Sequence, residues 1–261
     1  MAVVALSIAG SDPSGGAGIQ ADLKTFHQFG VHGTSVIVAI TAQNTVGVRA
    51  VHLVPAEIVS AQIAALADDL PPAGLKTGML ASAELIRLVA REIRSRQWRR
   101  YVLDPVMVAT SGDRLLGPDA ESALRDELLP LATVVTPNLD EAEVLTGGSV
   151  RDPDGMKAAG DQLLQMGAQA ALIKGGHLRG DDIVDLLVVP GMTRRFTYPR
   201  IKSNSTHGTG CTLSAAITAG LAHGRNLERA VEDGLSYVHR AIETAQPLGA
   251  GHGPLNHRVS P

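Results

Sequence analysis

The chain has little cysteine, few aromatic side chains and almost no charge imbalance, and each shortage excludes a class of protein. Its 261 residues include one cysteine, Cys211, which excludes an internal disulfide and a cysteine-cluster metal site. Aromatic residues make up 3%, too few for the stacking platforms that hold single-stranded nucleic acid. The formal net charge is −3 and there is no basic run, which argues against a nucleic-acid partner.

Long apolar runs are missing as well. No stretch reaches 18 apolar residues, so no membrane span is predicted, and the first residues lack the basic start and cleavage site of a secretory signal. We therefore expect a soluble, cytoplasmic protein that does not bind membranes.

Short apolar runs recur along the chain and alternate with longer segments of helical periodicity. The apolar runs are 3–9, 35–40, 101–103, 133–135, 170–173 and 183–189. Several are apolar on both faces, as is typical of strands buried in a parallel sheet. The main helical segments are 55–70, 83–96, 156–166, 213–221 and 227–245. This alternation predicts one α/β domain over residues 1–261, with a doubly wound, mostly parallel sheet and helices on both faces.

Glycine and polar residues follow the predicted strands at the points where the strands end. Ligands of such sheets bind outside the carboxyl ends of the strands, so these residues are candidates for a site. The candidates are Gly10, Ser11, Asp12, Gln43, Asn44, Met79, Asp104, Asn138 and Lys174.

The strongest local motif is STHGTGC at 205–211, which leads into an apolar helical segment. Gly208 and Gly210 allow a tight turn whose amide groups point outward at a helix N-terminus. Such a turn binds an anion and stabilises charge on a phosphoryl group during transfer. The alternative is a glycine-rich turn that precedes a buried helix and binds nothing.

Cys211 closes this motif at the expected start of the helix. The helix dipole is expected to lower the pKa of its thiol, and a thiolate there would accept a proton from a substrate hydroxyl. The alternative is a small buried apolar side chain, which is the usual role of a lone cysteine.

A second glycine-rich loop, GSDPSGGAG at 10–18, follows the first strand and opens a helix that contains Asp22 and Lys24. It matches neither the phosphate loop nor the dinucleotide-binding fingerprint, so those two nucleotide-binding classes are not supported. Its small side chains would let the backbone approach a flat substrate closely. The alternative is an unusual turn without a ligand.

Charged side chains at other strand ends suit phosphate chemistry. Asp104 and Glu141 are candidate ligands of Mg²⁺, either directly or through its water molecules. Helix capping is the alternative for the segment that runs from Asn138 to Glu141. Lys174 is a candidate for balancing phosphate charge, and a solvated strand end is its alternative.

Taken together and in this order, the motifs resemble the hydroxymethylpyrimidine and phosphomethylpyrimidine kinases of the ribokinase-like superfamily, almost end to end. The matching segments are AGSDPSGGAGIQADLKTF at 9–26, TAQNTVGV at 41–48, LKTGML at 75–80, LDPVMVATSG at 103–112, VVTPNLDEAEVLTG at 134–147, LIKGGH at 172–177, STHGTGCTLSAAI at 205–217 and GHGPLNH at 251–257. The resemblance implies a ribokinase-like fold and two successive ATP-dependent phosphorylations of one small pyrimidine in thiamine biosynthesis. It also implies a homodimer that requires Mg²⁺.

The resemblance assigns a pyrimidine pocket to residues of this chain. Gln43 would recognise the ring, because its amide both donates and accepts hydrogen bonds. Asp22 and the backbone near Gly10 would line the same pocket, and Met79 and Val106 would form its apolar walls.

It also assigns the phosphoryl-transfer machinery. The loop of Gly208, Thr209 and Gly210 would be the anion hole, and Cys211 would be the catalytic base. Lys174 would neutralise the charge of the ATP phosphates. The carboxylates of Asp104 and Glu141 would organise Mg²⁺.

The nearest alternative is a pyridoxal kinase of the same superfamily. Typical members resemble GTGD at the end of the anion-hole loop, with aspartate as the base, whereas this chain has Cys211. A subgroup that phosphorylates pyridoxal carries a second cysteine in an active-site flap, and the expected flap at 109–113 contains none. A sugar kinase is disfavoured because Gln43 suits a flat heterocycle. A non-catalytic pyrimidine-binding protein is disfavoured because every reactive position is filled.

Overall fold

The apolar runs pair into one sheet that crosses the whole molecule. In the computed structural model, which describes residues 2–107, 116–176, 178 and 180–261, this sheet has nine strands. They are β1 (Val4–Ser11), β2 (His32–Gln43), β3 (Val48–Leu53), β4 (Gly74–Thr77), β5 (Tyr101–Leu103), β6 (Val134–Val135), β7 (Ala171–Ile173), β8 (Asp182–Val189) and β9 (Met192–Pro199).

The strand order in the sheet is β3-β2-β1-β4-β5-β6-β7-β8-β9. The six central strands, from β2 to β7, are all parallel. Antiparallel strands extend both sides, with β3 beside β2 at one edge and β8 and β9 beyond β7 at the other. The predicted α/β class and mostly parallel sheet are therefore confirmed.

Eight α-helices connect the strands within the described ranges. They are α1 (Gly18–Gln28), α2 (Ala56–Asp69), α3 (Ala83–Ser95), α4 (Pro118–Ala123), α5 (Leu139–Thr146), α6 (Pro153–Gln165), α7 (Thr209–Ala222) and α8 (Leu227–Glu243). Side-chain caps begin several of them: Ser82 accepts from the Leu85 amide at α3, and Asn226 accepts from the Arg229 amide at α8. Such caps satisfy amides that have no partner inside the helix.

The helices lie in two layers, one on each face of the sheet. Alternate strand residues point to opposite faces, and in β1 Leu6 and Ile8 join one core while Ala5 joins the other. The first core packs against α2 to α6, and the second packs against α1, α7 and α8. Both faces of the central strands are therefore buried, which explains why β5, β6 and β7 are continuously apolar.

Three strands were not predicted from the sequence. The strands β3 and β9 lie at the two edges of the sheet, where most of their side chains are exposed and their composition is correspondingly polar. The third, β4, is only four residues long and contains a lysine, although all four residues are buried. Apolar periodicity cannot identify a strand of either kind.

The parallel strands place their carboxyl ends at one edge of the layer structure, and the loops that follow β1, β2, β4, β5, β6 and β7 meet there. No helix within the described ranges is long and apolar enough to cross a membrane. The flap expected at 109–113 lies outside the described residues.

Candidate active site

A cavity of about 1080 Å³ opens at the carboxyl ends of the parallel strands. All but one of the site residues predicted from the sequence line it. These are Gly10, Gln43, Met79, Asp104, Val106, Glu141, Lys174, Gly208, Thr209, Gly210 and Cys211. The carboxyl ends of six parallel strands, with the segments that follow them, thus contribute to one cavity, as expected for a ligand site of this fold class.

The structure differs from the sequence prediction at Asp22, which does not line the cavity. Its side chain is fully buried in α1. One carboxylate oxygen accepts a hydrogen bond from Ser7 Oγ at 2.5 Å, and the other lies 3.0 Å from Lys76 Nζ. Both carboxylate oxygens of Asp22 therefore have partners inside the protein, and the residue lies behind the cavity wall and stabilises it.

Lys76 stabilises this wall, although it was not among the site residues predicted from the sequence. Its ammonium has no exposed surface and lies 3.0 Å from Asp22 Oδ1 and 3.9 Å from Asp104 Oδ2. Burial alone would lower the pKa of Lys76, but the negative charges around it, Asp22 foremost, outweigh burial and raise the pKa. Lys76 therefore stays charged and links a buried carboxylate to one that faces the cavity.

The anion-hole motif begins α7 as predicted. Gly208 is the N-cap residue, with φ = 83°, and a Cβ at this position would overlap the carbonyl oxygen of Gly16. Only glycine satisfies both constraints. A Cβ on Gly210 would lie 3.3 Å from Lys174 Nζ, so the first turn of α7 opens towards an ammonium. The Thr209 amide donates to the Thr206 carbonyl oxygen at 3.3 Å. The first amides of a helix have no partners within the helix, and next to a positive charge they favour an anion.

Lys174 lies between two carboxylates of the cavity wall. Its Nζ is 3.6 Å from Asp104 Oδ1 and 3.8 Å from Glu141 Oε2. Glu141 also completes the capping box of α5, because its carboxylate accepts from the Asn138 amide at 2.8 Å while Asn138 caps the Glu141 amide at 2.9 Å. The capping interpretation of this segment is therefore confirmed, and the same carboxylate still faces the cavity.

The carboxylates of Asp104 and Glu141 fit a Mg²⁺ ion that is already bound to substrate phosphates. Carboxylate oxygens are the ligands this ion prefers, and it commonly binds through one or two of them together with substrate phosphates and water. The described residues contain no cluster of three or more His, Cys, Asp or Glu side chains that could hold a metal. Asp104 and Glu141 thus suit an ion delivered with phosphate.

Burial governs the ionisation of two acidic groups near Lys174. It raises the pKa of Glu141 to about 7, with Asp104 adding to the effect and Lys174 opposing it. Burial also raises the pKa of Asp185 in β8 to about 6, although this carboxylate accepts a hydrogen bond from the Gly175 amide at 2.8 Å. Asp185 was not predicted, because nothing in the sequence distinguishes it from other acidic strand residues.

The ionisation of Cys211 differs from the sequence prediction. The residue lies in the first turn of α7 and lines the cavity, as expected. Burial, however, raises the pKa of its thiol to about 12, with help from Asp22 and Asp104 and against the attraction of Lys76. The expected lowering by the helix dipole is therefore outweighed, and burial favours the protonated thiol.

The pyrimidine end of the predicted site is closely packed. A Cβ on Gly10 would lie 2.6 Å from Met79 Cε, so this glycine makes room for the methionine. Gln43 Oε1 lies 3.2 Å from Thr41 Oγ1, and the Gln43 amide nitrogen lies 3.5 Å from His207 Nε2. This end of the cavity therefore places the thioether of Met79 and the amide of Gln43 in one lining.

A buried pair of side chains at this end of the cavity was not predicted from the sequence. Asp12 Oδ2 lies 2.8 Å from His207 Nε2, and both side chains line the cavity. Each residue belongs to a glycine-rich motif quoted above, but 195 residues separate them. No local spacing signals such a pair.

The similarity to known proteins agrees with this geometry. A family model described as phosphomethylpyrimidine kinase matches residues 12–256. The chain belongs to that family. It is 54% identical over 260 residues to the hydroxymethylpyrimidine/phosphomethylpyrimidine kinase of Rhizobium meliloti, covering 98% of this chain and 97% of the relative.

Solved structures support the fold and bring in a second activity. A phosphomethylpyrimidine kinase from Clostridium difficile is 44% identical, with a TM-score of 0.83, and the match covers 92% of this chain and 99% of the other. A Bacillus subtilis pyridoxal kinase, solved as an ADP complex, is 38% identical, with a TM-score of 0.92 and 98% coverage of both chains. The fold is therefore ribokinase-like, as predicted.

Replacing Lys76 with methionine should destabilise the protein strongly, because it leaves the buried carboxylate of Asp22 without its cation and removes one of the two ammonium groups beside Asp104. We expect Lys76→Met to lower the free energy of unfolding in urea by about 3–5 kcal/mol. The matched control is Lys157→Met, which removes an exposed ion pair with Asp161 on α6. This substitution should change the free energy of unfolding by less than about 0.5 kcal/mol. Equal effects of the two substitutions would contradict the role of Lys76.

Gly208→Ala should disable the anion hole. We expect a fall in kinase turnover of about 10²–10³-fold, because α7 must shift to relieve the overlap with Gly16 and its amides move with it. Gly224→Ala at the other end of α7 is the control: φ there is +80°, but nothing lies within 4 Å of the new Cβ. That variant should lose only about 1–2 kcal/mol of stability and keep its turnover.

Proposed function

We propose that this protein transfers phosphate from ATP to 4-amino-5-hydroxymethyl-2-methylpyrimidine, and then to the resulting monophosphate. The product is the diphosphate used to build thiamine. The observation that carries the proposal is that one cavity is lined by the Gln43 amide, the glycine-rich N-terminus of α7 and the ammonium of Lys174. Membership of the phosphomethylpyrimidine kinase family supports the same substrates.

The pyrimidine would bind beside Gln43, with Met79 and Val106 against its flat faces. The Gln43 amide is able to pair with both a ring nitrogen and an exocyclic amine, since it carries an acceptor and two donors. This placement directs the hydroxymethyl group towards the first turn of α7. The cavity is also lined by Ile183, Ile201 and Ile242, apolar side chains that would pack against the adenine ring.

Transfer would take place beneath the amides that begin α7. These amides and Lys174 stabilise negative charge on the phosphoryl group as it moves, and such prearranged charge is the main source of catalysis in phosphoryl transfer. Asp104 and Glu141 would hold Mg²⁺ through its water or directly, and the bound ion would neutralise phosphate charge. Cys211 is the proposed acceptor of the substrate proton. Because burial raises the pKa of its thiol, this role requires the pKa to fall when ATP and Mg²⁺ bind, and the positive charge of the ion would act in that direction.

Pyridoxal kinase activity is the second candidate, and the likeness to the Bacillus subtilis pyridoxal kinase favours it. Against it stands the single cysteine of this chain, because the pyridoxal-phosphorylating subgroup with a similar loop is expected to carry a second one in the flap. We therefore propose pyridoxal as a secondary substrate at most.

A product assay tests the proposed function. Purified protein would be incubated with ATP, Mg²⁺ and the hydroxymethylpyrimidine, with mono- and diphosphate resolved by chromatography and pyridoxal run in parallel. We expect both pyrimidine products, each dependent on ATP, and slower conversion of pyridoxal. Monophosphate alone, or faster conversion of pyridoxal, would contradict the assignment.

Cys211→Ala tests the proposed proton acceptor. Loss of a positioned base typically costs about 10²–10⁴-fold, so turnover should fall by at least about 100-fold. The dissociation constant of ATP should stay nearly the same, because the anion hole uses backbone amides. Turnover close to that of the wild type would remove Cys211 from this role.

We also propose a homodimer, formed through the edge of the sheet that carries β3. Apolar side chains on this edge are 42–52% exposed: Ile40, Val51, Leu53 and Ile58. An edge strand with exposed apolar side chains and free backbone groups favours pairing with another chain. A second copy of the chain would cover both.

Sedimentation measurements on charged variants test this interface. We expect the wild type to sediment at twice the chain mass of 27.2 kDa, and the double variant Val51→Asp/Leu53→Asp to sediment as a single chain. The control is Met192→Asp, which places the same charge on an exposed residue of β9 at the opposite edge. A monomeric wild type, or a dimer that survives in the double variant, would contradict the interface.

A further inference from the structure

Two loops that are distant in the sequence meet at the pyrimidine end of the cavity. One is the glycine-rich segment 10–18 after β1, and the other is the segment 203–210 before α7. Their backbones are in contact, since a Cβ on Gly208 would overlap the Gly16 carbonyl oxygen and a Cβ on Gly16 would lie 2.5 Å from His207 Cδ2. One side-chain hydrogen bond, between Asp12 and His207, joins them at 2.8 Å.

Asp12 organises the first of these loops. Besides His207, its carboxylate accepts hydrogen bonds from the Ser14 amide at 2.9 Å, the Ser14 hydroxyl at 2.8 Å and the Ala17 amide at 2.9 Å. Burial alone would raise the pKa of Asp12, but the hydrogen bonds from His207 and Ser14 outweigh burial and hold it below its usual value. Asp12 is thus an ionised acceptor, and His207 Nε2 is the donor.

His207 organises the second loop. Its backbone amide donates to the Gly253 carbonyl oxygen at 3.0 Å, and the Gly253 amide donates to Asn204 at 3.0 Å, which ties the loop to the carboxyl-terminal segment. The next residue is Gly208, the N-cap of α7. His207 Nε2 also lies 3.5 Å from the amide nitrogen of Gln43, which is a packing contact, because both nitrogens are donors when Nε2 donates to Asp12. One buried imidazole therefore touches the pyrimidine pocket and immediately precedes the anion hole.

We propose that the Asp12–His207 pair is a positioning device that fixes the anion hole relative to Gln43, and hence the phosphoryl acceptor relative to the donor. The inference rests on the proposed function, because both ends of the device are its binding elements. A displacement of about 1 Å between reacting groups costs about 100-fold in rate. A hydrogen bond that sets this distance therefore matters for turnover as well as for stability.

Substitutions of His207 separate positioning from a merely structural role. His207→Leu removes the donor, and His207→Gln restores an N–H at a similar reach. We expect His207→Leu to lower kcat by about 100-fold and to raise the KM of the pyrimidine, and His207→Gln to recover most of both. The matched control is His223→Leu, at the far end of α7, where the ring bonds to the Phe29 carbonyl oxygen at 2.8 Å. Its kinetic constants should match those of the wild type.

The results distinguish this inference from the proposed function. An active wild type with kcat and KM unchanged in the folded His207→Leu protein would overturn the positioning role alone. A wild type without pyrimidine kinase activity would overturn the proposed function and this inference with it. If His207→Leu does not fold, Asp12→Asn tests the same bond, because its amide replaces one acceptor oxygen. Its kcat and pyrimidine KM must shift in the same directions, and unchanged values would overturn the inference.

Discussion

The wall of the cavity depends on one ammonium that has no access to water. Lys76 lies between Asp22, which belongs to α1 behind the wall, and Asp104, which faces the cavity. Removing a charge from water costs several kcal/mol, and only close partners of opposite charge offset that cost. Lys76 thus requires both carboxylates, and Asp104 in turn lies 3.6 Å from Lys174. These alternating charges stabilise the wall. They also position the groups that face the phosphate.

Much of the fold is predictable because burial leaves a clear signal in the central strands. The runs at 101–103 and 170–173, for example, are continuously apolar, and they form β5 and β7. The strands at the edges leave no such signal. The edge strands β3 and β9 are largely exposed, and the short β4 carries Lys76, whose burial depends on partners elsewhere in the chain. Strand prediction fails where tertiary contacts, rather than local pattern, decide the structure.

The location of the site is also predictable from the sequence, but its electrostatics are not. Residues such as Gln43, Lys174 and Gly208 follow strands or precede a helix, and the sheet topology brings them together. The pairing of Asp12 with His207 and the burial of Asp22 depend on contacts across 195 and 54 residues. The pKa of Cys211 is raised for the same reason, because burial among distant acidic groups outweighs the local effect of the helix.

The central claim of this account is that one cavity phosphorylates both the pyrimidine alcohol and its monophosphate. Mutual inhibition of the two substrates tests this claim most directly. If they share the cavity, each should inhibit phosphorylation of the other competitively with respect to pyrimidine, with an inhibition constant equal to its own KM. Non-competitive inhibition, or no inhibition at saturating concentration, would show separate sites and contradict the account.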